Sequence, residues 1–303
     1  MAEREAALIG IDWGTTSLRA WKIAADGQVL DARRGDLGIL RVPGGDFAAA
    51  FTESVGDWHG LGLPVLMSGM IGSRQGWIEA PYVPCPADLT ALGGHLVSPP
   101  SQERIWVVPG VSLRDGDRRD VIRGEETQIA GAIGSGSAIA VLPGTHSKWV
   151  KVEGGRINDF ATFMTGELFD VLKRHSILGR LMTDGPVSDD GFRRGVVAAR
   201  DGTGGLSGAL FSVRALGLFG DVPLDALSDY LSGLLIGHEL REALQRFPAS
   251  EVLIIGSAAL VLRYTEALHL YGIATQSADE SATVKGLLQI ARHARLIEGL
   301  SDD

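Results

Sequence analysis

Residues Ala7 to Lys22, A-L-I-G-I-D-W-G-T-T-S-L-R-A-W-K, decide the reading of this chain. Ala7, Leu8, Ile9 and Ile11 form an apolar run too short for a helix, which predicts a strand buried on both faces. Asp12 ends the run. A carboxylate at the exit of a buried strand is costly without a partner, so a metal ion or a hydrogen-bond network is expected there. Gly14 lets the backbone approach a ligand, and Thr15, Thr16 and Ser17 offer N–H groups and hydroxyls together. Such a turn suits a polyphosphate with a divalent cation; a plain β-hairpin with a polar turn is the alternative.

A second occurrence strengthens the ligand reading. Gly144-Thr145-His146-Ser147 repeats G-T-x-S 130 residues later, after the apolar run Ala138 to Leu142 and before Trp149 and Lys151. A strand, turn and strand in each half predicts a duplicated unit whose two hairpins face the phosphates of one nucleotide. Lys148 could face phosphate or solvent.

The composition excludes several classes. With 303 residues and 45% hydrophobic content, the chain can fill two domain cores. A net charge of −9 and no basic cluster argue against a nucleic-acid partner. Any anionic substrate must then be held by local arginines. The single cysteine, Cys85, rules out an internal disulfide and fits a reducing cytoplasm. The start, M-A-E-R-E-A-A, is charged and has no apolar signal core, and Val252 to Leu262 is too short to span a bilayer. No Walker A, G-x-G-x-x-G, H-E-x-x-H or G-x-S-x-G string occurs.

Other elements follow in chain order. Gln28 to Ala32 reads as a third strand, Phe47 to Trp58 as a helix and Pro64 to Met67 as a buried strand. That strand opens onto Ser68-Gly69-Met70-Ile71-Gly72-Ser73-Arg74-Gln75-Gly76-Trp77, a loop at the carboxyl end of a core strand, where α/β sheets bind ligands. Ser68, Gly69, Met70, Arg74, Gln75 and Trp77 are its candidate substrate residues, with Arg74 first for a carboxylate; a surface connection anchored by Trp77 is the alternative. Glu79 to Gln102 reads as loop with one helical turn, and Arg104 to Pro109 as a strand. The charged run Leu113 to Arg119 reads as a crossing between lobes. This predicts domains of residues 1–121, with the first phosphate hairpin and the substrate loop, and 122–303.

Arg123-Gly124-Glu125-Glu126-Thr127 opens a helix through an acidic first turn. Glu125 and Glu126 are either dipole-complementing caps or a candidate general base. Arg156 to Phe163 is expected to be a strand. Thr165 is expected to cap a helix through His175 that puts Leu168, Val171 and Leu172 on one face. Gly179 to Leu244 reads as mostly helical, with Asp201 to Gly205 as a flexible loop and His238, next to Glu239, as ordinary helix surface or a satisfied buried pair. After the strand Glu251 to Ile255, Gly256 and Ser257 make a small-residue turn that could admit adenosine. A helix to Leu268, a strand Tyr271 to Thr275 and a helix Ser281 to Ile297 close the chain.

Two such halves with paired hairpins resemble the actin, hsp70 and hexokinase superfamily. The resemblance implies an α/β, two-lobed, actin-like or ribonuclease H-like ATPase fold with a duplicated mixed sheet, flanking helices and an interlobe cleft. G-E-E-T-Q-I-A-G-A followed by P-G-T-H-S is similar to carbohydrate kinases of the glycerol kinase type, where an aspartate stands at the position of Glu125. The strings I-G-I-D-W-G-T-T-S-L-R-A-W, S-G-M-I-G-S-R-Q-G-W, I-R-G-E-E-T-Q and P-G-T-H-S-K-W resemble the bacterial 2-dehydro-3-deoxygalactonokinases. That resemblance implies a phosphotransferase using ATP and Mg²⁺ to phosphorylate a sugar acid on its C6 hydroxyl. Asp12 would serve the metal, the two G-T turns the phosphates, and Glu125 or Glu126 the proton. A kinase of a different sugar and a non-catalytic actin-like nucleotide binder are the competing expectations, and the oligomeric state, a homodimer included, stays open.

Overall fold

The computed structural model describes residues 5–279 and 281–298; Met1–Arg4, noted above for their charge, lie outside that range. The chain clusters into two compact units. The first holds the chain up to Ala138, Lys151–Phe160 and the C-terminal helix; the second holds Ile139–Val150 and Ala161–Asp279.

In the first unit, β1 (Ala6–Trp13), β2 (Leu18–Ala24) and β3 (Val29–Gly35) form the expected meander, followed by α1 (Phe47–His59) and β4 (Val65–Ser68). Next come β5 (Tyr82–Pro84), α2 (Leu89–Gly93), β6 (Ile105–Val107), β7 (Gly110–Asp115), β8 (Arg118–Ile122) and α3 (Glu125–Ile133). The main sheet has the order β3-β2-β1-β4-β6, and β5, β7 and β8 form a small second sheet. Leu8, Ile9, Ile11 and Trp13 are fully buried, each contributing about 1.5–3 kcal/mol of apolar burial. One face of the sheet carries the core with Phe47, Phe51 and Val55 of α1. The other meets the C-terminal helix, Ser281–His293, whose Leu287 packs into the space that Gly10 leaves open. Cover on both faces is why the first strand lacks alternation.

Another sheet and its helices repeat the pattern, lying in the second unit except for Ala138 and the stretch Lys151–Phe160, which cluster with the first. The elements in chain order are β9 (Ala138–Leu142), β10 (Ser147–Glu153), β11 (Arg156–Phe163), α4 (Thr165–His175), α5 (Asp189–Asp201), α6 (Leu206–Ala209), α7 (Phe211–Phe219), α8 (Leu227–Arg246), β12 (Glu251–Ile255), α9 (Ala258–Leu270) and β13 (Ala274–Ala278). The strand order of this sheet, β11-β10-β9-β12-β13, is the first sheet's order element for element, and β12 runs parallel to β9 as β4 does to β1.

Several sequence expectations need correcting. Leu113 to Arg119 is no crossing: β7 and β8 pair antiparallel across Asp115↔Arg118, so the charges decorate an edge hairpin. The units do not divide at residue 121, because α3 packs on the C-terminal helix. A methyl group at Gly131 would lie 1.9 Å from Ala282 O, and one at Gly286 1.8 Å from Thr127 O, so this crossing is backbone against backbone. Thr165 is not a cap; its hydroxyl is drawn to Glu239. Of the expected face only Leu172 packs inward, half-buried together with Phe169, while Leu168 and Val171 are exposed. The loop after α5 is strapped by Arg241, which donates to Gly202 O at 2.6 Å and Gly204 O at 2.7 Å. The last strand begins at Ala274 rather than Tyr271, and the last helix ends at His293.

Candidate active site

The first unit brings several of the expected residues to the carboxyl ends of β1 and β4. Asp12 pairs across the sheet with Arg19 on one side and Ser68 on the other. Arg19 binds the carboxylate through Nε, 3.2 Å from Oδ2, and through Nη2. That leaves Oδ1 directed at Gly69: a methyl group on Gly69 would sit 3.0 Å from Oδ1 and 2.9 Å from Trp13 O, and φ is +92°. Glycine is required there on both counts. Gly124, in turn, would place a methyl 3.2 Å from the Gly69 Cα. Asp12, Gly69 and the start of α3 therefore form one contiguous group.

The two glutamates of α3 differ in setting. Glu126 is 1% exposed, and its carboxylate accepts from Gly124 N at 2.7 Å and Thr127 Oγ1 at 3.1 Å. Burial, and then repulsion from Glu125, push its pKa up to about 7. Glu125 is half-buried and accepts from Arg123 N at 2.9 Å. Of the two, only Glu125 has surface to offer a substrate.

The turn after β1 is closed by Gly14 N donating to Ser17 O at 2.9 Å, and Ile39 and Leu40 bind the carbonyls of Gly14 and Thr15 from behind. Thr15 and Thr16 remain exposed. In the loop after β4, Ser68 and Gly69 are buried beside Asp12, and the Ser68 hydroxyl has no hydrogen-bond partner among the described residues. Met70 and Trp77 pack on the core, with Trp77 5.7 Å from the Phe51 ring, so Trp77 is the loop's anchor. Arg74 and Gln75 lie on the surface; Arg74 is 86% exposed and pairs with Glu79 at 3.2 Å. The sequence reading missed Arg123. Its guanidinium is buried, stacks on Tyr82 at 4.3 Å and donates to Ala80 O at 2.8 Å, holding the loop from beneath. Its place beside the acidic helix start was the available signal.

In the second unit the exposure pattern of the first turn recurs, with Thr145 and His146 exposed and Gly144 half-buried. The N-terminus of α4 sits against this turn: Glu167 N donates to Thr145 O at 2.9 Å, and the Glu167 carboxylate meets His146 Nε2. Ser147 and Lys148 turn inward. Ser147 Oγ donates to Glu239 at 2.8 Å and Lys148 Nζ to His146 O at 2.8 Å, so neither presents its side chain as the exposed residues do. Gly256 and Ser257 end β12, which runs parallel beside β9, and a methyl on Gly256 would touch Pro143 at 3.6 Å. Both turns thus follow the carboxyl ends of two neighbouring parallel strands in the middle of this sheet. Next to them is a cavity of about 1140 Å³ lined by Gly144, Thr165, Gly166, Ser232, Ala259 and Tyr264 among others. Its walls are mainly apolar, with Asp229 and Arg263 paired on one side, the kind of lining that suits an aromatic base.

No group of three or more His, Cys, Asp or Glu able to hold a metal occurs among the described residues. Likewise, no described helix is long and apolar enough to cross a membrane.

Comparisons with known proteins bear on the family and the fold. The 2-keto-3-deoxy-galactonokinase family model matches residues 12–290. The 2-dehydro-3-deoxygalactonokinase of Escherichia coli is 38% identical over 287 residues, covering 93% of this chain and 97% of that protein. The crystal structure of a Sinorhizobium meliloti protein assigned as a 2-dehydro-3-deoxygalactonokinase superposes with a TM-score of 0.87 at 36% identity, covering 94% of this chain and 98% of that one. A Porphyromonas gingivalis protein assigned as an N-acetylglucosamine kinase shares only the fold, with a TM-score of 0.51 at 18% identity, covering 94% of this chain and 98% of that one. The two like-ordered sheets are those of the actin-like sugar kinases and ATPases, and the chain belongs to the 2-keto-3-deoxy-galactonokinase family.

Proposed function

We propose that this chain is an ATP-dependent sugar-acid kinase that phosphorylates 2-dehydro-3-deoxy-D-galactonate on its C6 hydroxyl, a cytoplasmic step of galactonate breakdown. The observation that carries the proposal is the full-length match to the E. coli enzyme, at 38% identity over 97% of its length. The contiguous Asp12, Gly69 and Glu125 group supplies what that chemistry needs.

Phosphoryl transfer asks mainly for alignment and charge neutralisation. Glu125 accepts the proton of the C6 hydroxyl as its oxygen bonds to the γ-phosphorus; the bond to the β–γ bridging oxygen breaks and ADP leaves. Glu126 is too enclosed to reach a substrate and shapes the start of α3. The backbone of Gly14, Thr15 and Thr16 and of Gly144, Thr145 and His146 binds phosphate oxygens, and Gly256 and Ser257, which precede the cavity-lining Ala259, admit adenosine.

Asp12 fits a magnesium role. One oxygen is tied to Arg19, and the other is kept clear by the missing side chain of Gly69. Mg²⁺ is commonly held by one or two carboxylates plus substrate phosphates, so a larger acidic cluster is not needed. When bound, the ion would neutralise charge on the β- and γ-phosphates.

Arg74 takes the substrate carboxylate by exchanging Glu79, and an ion pair this exposed costs little to break. The reading is tested by ADP release across 2-keto-3-deoxy sugar acids that differ at C4, with neutral hexoses as controls. Turnover stimulated by the galactonate-derived acid is expected; stimulation by a neutral sugar alone would sink the assignment.

A further inference from the structure

The Glu239 carboxylate on α8 is 3% exposed and accepts four hydrogen bonds. Oε1 accepts from Ser147 Oγ and Trp149 Nε1, both at 2.8 Å. Oε2 accepts from Tyr264 Oη at 2.8 Å and from Thr165 Oγ1. Tyr264 Oη also stands 3.3 Å from Ser147 Oγ, closing the network. Four donors fill the acceptor sites of one carboxylate.

Stability alone does not explain such a group, since apolar residues of similar volume do as well or better in a core. The identity of the donors is informative. Ser147 and Trp149 open β10 directly behind the turn Gly144–His146. Thr165 begins α4, whose Glu167 N–H holds the other side of that turn. Tyr264 belongs to α9, which follows the Gly256-Ser257 turn. Thr165 and Tyr264 also line the 1140 Å³ cavity. One buried carboxyl group therefore ties the turn to two walls of the cavity.

We propose that Glu239 is a positioning residue for the nucleotide, fixing the Gly144–His146 turn relative to α4 and α9 so that phosphates and adenosine are bound in one register. This rests on the reading that the turn holds phosphate and the cavity holds adenosine. The sugar acid is served by first-unit residues, so loss of Glu239 separates the two substrates.

The test is Glu239→Gln. Its amide oxygen can keep Trp149, whose N–H only donates, while its NH₂ meets Thr165 and Tyr264, whose hydroxyls can rotate to accept. The fold therefore survives but one of the two acceptor oxygens is lost. The expected result is a rise in the Kd for ADP, by calorimetry, on the order of tenfold, with a matching rise in KM for ATP and an unchanged KM for the sugar acid. Tyr264→Phe removes a single donor and is expected to shift the same two constants in the same direction by a smaller factor; it carries the test if Glu239→Gln does not fold. Folded variants that bind ADP as wild type does, or that lose both KM values and thermal stability together, would overturn the role. Wild-type protein with no ADP binding would instead overturn the nucleotide reading itself.

Discussion

Glu126 shows at the scale of one residue how burial divides two adjacent acids. Its folded pKa of about 7 lies above the usual 4.5, so the folded protein keeps a proton that the unfolded chain releases. The stability tied to that proton is complete below about pH 4.5 and is lost as pH rises through about 7. Glu126→Gln stays neutral throughout, so its stability advantage over wild type should open between those values and reach roughly 3 kcal/mol at pH 8. Urea unfolding at pH 4.5 and 8 measures this; an equal difference at both would contradict the assigned cause. At Arg74, replacement by alanine should raise KM for the sugar acid about tenfold or more while leaving KM for ATP nearly unchanged. Equal effects on both would remove Arg74 from the substrate site.

Among the elements, the pairing of α3 with the C-terminal helix carries the sharpest structural prediction. Gly131 and Gly286 leave no room for a methyl group, so Gly286→Ala should push the helices apart and cost roughly 1–3 kcal/mol or more. Because α3 bears Glu125, its kcat should fall more than its ATP affinity. A thermal melt and steady-state kinetics decide it, and a variant as stable and active as wild type would refute the tight crossing. The strands were legible because apolar runs bounded by Gly and hydroxyl residues have few other readings. The β7–β8 hairpin was not legible, since its tip from Arg114 to Asp120 carries a charge at every position but Gly116 and a charged run reads as linker. The helix crossing was equally hidden, because a small residue in a helix announces close packing without naming its partner.

For the whole molecule, the repeated G-T turn announced the duplication, and the two sheets bear it out with the same strand order. The units themselves could not be cut from a linear reading, because the C-terminal helix returns to the first sheet and Lys151–Phe160 clusters with the first unit. The phosphate-turn candidates Gly14, Thr15 and Thr16 and Gly144, Thr145 and His146 were visible as local strings. Glu239 was not: its partners lie 25 to 92 residues away, and nothing local distinguishes a buried acid on α8 from a surface one.

The account rests most directly on Glu125 taking the proton from the acceptor hydroxyl. The decisive measurement is single-turnover phosphoryl transfer by Glu125→Gln, alongside its ATP affinity. The account predicts a rate lowered by about 10²- to 10⁴-fold with ATP binding nearly intact; a rate close to wild type would contradict it.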